Sequence, residues 1–211
     1  MTKDQIDNFA SKIAASIYNG TSVFTTDKWI VEFETISNYK IQRSVIDGVV
    51  LVSLYFGIYF IQRKAQTFFD DQKLKVFNEE LKRVIIFYLS TVYFESVDKE
   101  QNPEKHLKRV KDTFEALFSQ SMDAYSSYTG GNITILFKAF VQNEFNSSIV
   151  SPKIKFTKNS FKNRFLINLA MVMGGPNASF ANDTVLDEKI LDNYVQNIVS
   201  TLTEIDFHPE L

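Results

Sequence analysis

The chain has 211 residues, 45% of them apolar and 23% charged, with 20 Phe, 9 Tyr and no Cys. That composition supplies one sizeable hydrophobic core and argues against extended disorder. Without Cys there can be no disulfide, thiolate nucleophile or Cys-ligated metal, and a formal net charge of −2 gives no whole-chain electrostatic grip on nucleic acid.

The first element follows directly from the N-terminus. Thr2 and Gln5 have the spacing of a capping box, and Ile6, Phe9, Ile13 and Ile17 recur on one helical face, with Asn19-Gly20 as the expected stop. The stretch has no apolar core of the kind secretion signals carry, so none is read there, and a soluble, cytoplasmic chain is expected. The five Asn-x-Ser/Thr sequons, at Asn19, Asn132, Asn146, Asn177 and Asn182, are read as composition rather than as glycosylation sites. A second helix is expected over 27–39, carrying Trp29, Phe33 and Ile36.

The third helix is expected to start at Ser44, with Asp47 completing a capping box, and to end near Lys64. It contains the uncharged run Gly48–Ile61, whose 14 residues fall short of the roughly 20 a membrane span needs. A buried core helix is therefore expected there, and no membrane span. Next, Leu74, Phe77, Leu81, Val84 and Tyr88 alternate spacings of 3 and 4, with Ile85, Leu89 and Val92 widening the stripe into a broad core-facing surface. After a polar break at 98–101, Asn102-Pro103 is a helix start with Asn at the cap and Pro in the first turn. Leu107, Val110, Phe114, Leu117 and Phe118 line its expected core face.

A turn at 129–132 leads to an apolar helix over 133–145. Residues 146–159 read as one long loop that could carry function. Ser160 is expected to cap a helix to Met173, stopped by Gly174-Gly175-Pro176. The last helix begins near Asp183 or Thr184 and uses Leu186, Ile190, Leu191, Tyr194, Ile198 and Leu202. The sum is an all-α fold: a single-domain multi-helix bundle of about seven to nine helices spanning 1–211.

Chemistry is sparse. Neither His106 nor His208 has Glu three residues before it, and no HExxH, EF-hand, nucleophile elbow or phosphate-binding glycine loop occurs. No metal, no cofactor and no catalytic residue is assigned, and an enzyme is not expected. The adjacent acids Asp70-Asp71, Glu79-Glu80 and Asp187-Glu188 point about 100° apart on a helix and read as solvated surface. Asp47, bordering the apolar run, is either a helix cap or a buried acid, and the cap is the simpler reading.

One charge pattern stands out. Lys153, Lys155, Lys158, Lys162 and Arg164 lie in a segment with no acidic residue, interleaved with Phe156 and Phe161, around the helix start at Ser160. Cations there are unfavourable for the helix itself but suit an anion. The competing reading pairs this segment with the C-terminal stretch 177–211, where seven acids face one cation, Lys189. The Phe surplus likewise reads as core, or as the lining of an apolar ligand cavity. The function expected is a non-enzymatic helical protein-interaction or assembly module that self-associates as a homo-oligomer or binds a protein partner. The alternative is a binder of a small apolar or anionic ligand, lipid-like or phosphorylated, in a bundle cavity. Nucleic acid is not an expected partner.

Overall fold

The computed structural model describes residues 1–22, 30–31, 34, 43–89, 102–129, 131–147 and 188–207, and over these residues the chain is all-α. The helices are α1 (Lys3–Thr21), α2 (Arg43–Ala65), α3 (Asp71–Tyr88), α4 (Pro103–Ser127), α5 (Ile133–Ser147) and α6 (Glu188–Glu204). Residues 30–31 and 34, inside the helix expected over 27–39, are helical; Trp29, Phe33 and Ile36 lie outside the described residues.

The arrangement follows from α2. Its apolar residues point in every direction, so no face can be left to water and the other helices must surround it. It touches all five of them. Val49, Val50, Leu54, Tyr55, Phe56 and Ile61 are each fully buried, and burying such a side chain stabilises by roughly 1.5–3 kcal/mol. By length and composition Val45–Ala65 could cross a membrane; in this fold 78% of that apolar window is buried against the chain's own helices. The small polar Ser53 is tolerated because its hydroxyl donates to Val49 O at 2.8 Å and meets Tyr194 Oη of α6 at 2.7 Å.

The remaining helices are amphipathic, and their contacts fix direction. Phe9 meets Phe77, Ser11 reaches Glu80 and Tyr18 stacks on Tyr88, so α1 and α3 run parallel. Tyr55 packs on Phe114, and both Phe56 and Tyr59 on Tyr125, so a short stretch of α2 spans three turns of α4 and the two helices cross at a steep angle. At the centre Phe56 stacks on Phe137 of α5, with centroids 4.3 Å apart and planes 4° from parallel. Phe9, Phe69, Phe77 and Phe207 form a second aromatic knot where α1, α3 and the end of α6 meet. Buried side chains from all six helices belong to one continuous core.

Helix ends match the local chemistry in part. The capping box at Thr2 and Gln5 forms, with Thr2 N donating to Gln5 Oε1 at 2.7 Å and Gln5 N to Thr2 Oγ1 at 3.3 Å. Asn102 Oδ1 accepts from Lys105 N at 3.0 Å, with Pro103 opening α4. Three details correct the sequence reading. Asn19-Gly20 does not stop α1, which runs to Thr21. Gly20 instead lets α6 approach, since a β-carbon there would stand 2.5 Å from Thr201 Cγ2. Ser44 follows Arg43 within the described span of α2, so it is helical rather than the cap. Asp70 is not idle surface: it caps α3, accepting from Lys73 N at 2.9 Å.

Candidate functional site

The cations Lys153, Lys155, Lys158, Lys162 and Arg164, the Ser160 helix and residues 148–159 of the long loop lie outside the described residues; residues 146–147 still belong to α5. The acidic C-terminal helix is described from Glu188 onward. Its first two acids converge on Lys138 of α5, which pairs with Asp192 and, at 3.2 Å, with Glu188. Hydrogen bonds to Asp192 and then Glu188 hold the Lys138 ammonium above its ordinary pKa. Part of the acidic surplus is thus neutralised within the fold.

The described residues with the clearest binding geometry lie between α3 and α4. These helices enclose an open groove of about 510 Å³. Lys82 Nζ meets Glu115 Oε1 at 3.1 Å across it and stands 5.4 Å over the Phe118 ring. Toward the C-terminus of α3 the wall is apolar: Ile86 is buried, while Phe87 is 53% and Leu107 41% exposed. Toward the other end lie Glu79 and Arg83. Arg83 is held back by Glu80, its Nε donating to Oε2 at 2.6 Å and a second N–H to Oε1. That guanidinium, with help from Ser11 Oγ at 3.3 Å, keeps the Glu80 carboxyl below the usual carboxylate range. Lys111 lies exposed on the α4 wall, and among the described residues no carboxylate is within ion-pair distance of it.

This exposure corrects the sequence reading, which set Leu107 on the core face of its helix, and it sets Phe87 apart from the interior rings of the Phe surplus. Phe87 sits one turn after Arg83, on the polar flank of α3, and that spacing was the available signal. Leu107 keeps the phase of the α4 core stripe, so periodicity alone does not distinguish it from Val110 or Phe114. Phe68 and Ile135 are likewise exposed, at 51% and 56%.

A second open groove, about 440 Å³, runs between α1 and the end of α6, with Asn8, Lys12, Ser16 and Asp206 among its lining residues. At the C-terminal end of α5, Asn143 and the fully buried Glu144 are polar groups the sequence reading passed over. Among the described residues no three His, Asp or Glu side chains are grouped to hold a metal ion. Asp47 is partly buried near the start of α2. No protein-family model matches the chain, and comparison with curated proteins and with solved structures gives no significant match.

Proposed function

We propose that the chain is a non-enzymatic helical protein-interaction module whose contact face is the groove between α3 and α4. The observation that carries this is the pairing of a half-exposed Phe87 with a half-exposed Leu107 over buried Ile86, framed by charged side chains. Clustered apolar side chains with a polar rim are what interfaces bury, and aromatic side chains, Phe among them, are enriched there. The aromatic surplus, by contrast, is absorbed by ring-on-ring contacts such as Phe56–Phe137 and Tyr59–Tyr125, which favours a packed core over a ligand-holding interior. Self-association is one form of this function, with a second copy at the groove about a two-fold axis.

The test places a photo-crosslinking benzoylphenylalanine at position 87 of the full chain, with position 66, on the exposed α2–α3 turn, as control. A defined protein adduct from position 87 alone is expected. Adduct masses in multiples of 24.3 kDa would identify a second copy. Equal labelling at both positions, or none at 87, would refute the groove as the contact face.

A further inference from the structure

We infer that the groove receives an acidic amphipathic helix of a partner protein, with a large apolar residue on Phe87 and Leu107 and an Asp or Glu one helical turn away facing Lys111. This rests on the interaction reading above and names its partner's chemistry.

Shape comes first. A groove between two packed helices accepts a third helix, which reads it through anchors at i, i+3 or i+4 and i+7. Lys111 follows Leu107 by four residues on α4, one turn along the groove wall. An apolar anchor at Leu107 therefore brings the partner's next turn to Lys111.

Charge decides the partner's sign. Two lining cations are already balanced, Lys82 by Glu115 and Arg83 by Glu80. Residues 103–115 of α4 carry Lys105, Lys108, Arg109 and Lys111 against Glu104, Asp112 and Glu115, of which Glu115 is taken up by Lys82, and Lys105, Lys108 and Lys111 are exposed. Of these only Lys105 lies in the first turn of α4, where a cation opposes the helix dipole. A carboxylate arriving at Lys111 gains an ion pair at the rim and the long-range pull of its neighbours.

The experiment measures binding of two fluorescein-labelled, Ala-rich helical peptides to the full-length protein by anisotropy. Both carry the same Leu anchors; one places Glu, the other Lys, a turn from them. The Glu peptide is expected to bind at least about tenfold more tightly, with the difference shrinking at high salt. Lys111→Glu, an exposed change whose folding is checked by circular dichroism, is expected to reverse the preference. Leu107→Ser is expected to weaken both peptides. Equal binding of the two peptides, no binding of either, or an unchanged preference in Lys111→Glu would each overturn the inference. So would anionic vesicles outcompeting the Glu peptide, which would make this a membrane surface, or a homodimer that the Glu peptide does not dissociate. If position 87 still yields a specific adduct while the peptides fail, the interaction reading stands and only the acidic helix is lost. If both fail, the two fall together.

Discussion

Gly20 and Thr201 make the sharpest quantitative test of how α1 and α6 pack. A β-carbon at position 20 would stand 2.5 Å from Thr201 Cγ2 and 3.5 Å from its Cβ, whereas carbon atoms rest at about 3.5–4.0 Å. Thr201 does not swing aside freely, because it is β-branched and its Oγ1 donates to Asn197 O at 2.9 Å. Gly20→Ala therefore forces the helices apart or costs that hydrogen bond, a penalty of about 1–3 kcal/mol. Against it stands the better helix propensity of Ala, worth up to about 1 kcal/mol and less so near a helix end. The net expectation is a loss of about 1–2 kcal/mol, or roughly 2–8 °C in Tm for a chain of this size. Thr201→Ser removes the methyl group and keeps the hydroxyl. In that background Gly20→Ala should become neutral or stabilising, a coupling of at least about 1 kcal/mol in a double-mutant cycle read by urea denaturation. Additive effects, or a stabilising Gly20→Ala in the wild-type background, would refute the close approach of these helices.

Phe77→Ala should cost about 3–5 kcal/mol, because the ring is fully buried among Phe9, Phe69 and Phe207, whereas Phe87→Ala should cost under about 1 kcal/mol; similar losses in thermal melts would show that the two environments are wrongly assigned. Glu80 has a lowered folded pKa, so its contribution is complete above the unfolded value near 4.3 and disappears as pH falls through the folded one. Melting temperature should therefore decline more steeply on the acid side in the wild type than in Glu80→Gln, and parallel curves would exclude this carboxylate as the source. Lys138→Met should destabilise by under about 1 kcal/mol at low salt and by less at high salt, since its partners Glu188 and Asp192 are largely solvated. A salt-independent loss would point to packing of the lysine stem instead.

How legible this was in the sequence varied with the kind of signal. Helices with a one-sided apolar stripe and a chemical start, such as Thr2–Gln5 on α1 and Asn102-Pro103 on α4, could be read because cap and period are local properties. The uncharged run in α2 could be read as interior because no polar face was left to show to water. Gly20 misled, since glycine serves equally as a helix stop and as the place where two helices touch, and only the neighbour at Thr201 separates the roles. Asp70 misled for a related reason: an acid before a helix looks like any solvated acid until its carboxylate is seen on Lys73 N. The groove was the least legible feature. Leu107 has the same phase on α4 as Phe114, and its exposure depends on which helices lie opposite, information that periodicity does not hold. The basic segment 153–164 is conspicuous in the sequence because no acid interrupts it, and it lies outside the described residues; basic residues 105–111 beside the groove are inconspicuous because Glu104, Asp112 and Glu115 dilute them.

The all-round apolar surface of α2 also sets a demand on biosynthesis. Its last residue is Ala65, but the helices that shield it continue to Glu204 in α6, 139 residues later. At the usual 5–20 residues per second, a ribosome takes about 7–28 s to deliver them. Among the described helices, α2 has α1, and later α3 to α5, to lean on during that interval, and the surface α6 covers must be kept from water by something else. Nascent chains arrested before residue 188 should therefore be held by chaperones, and release should coincide with the emergence of Tyr194 and Leu202.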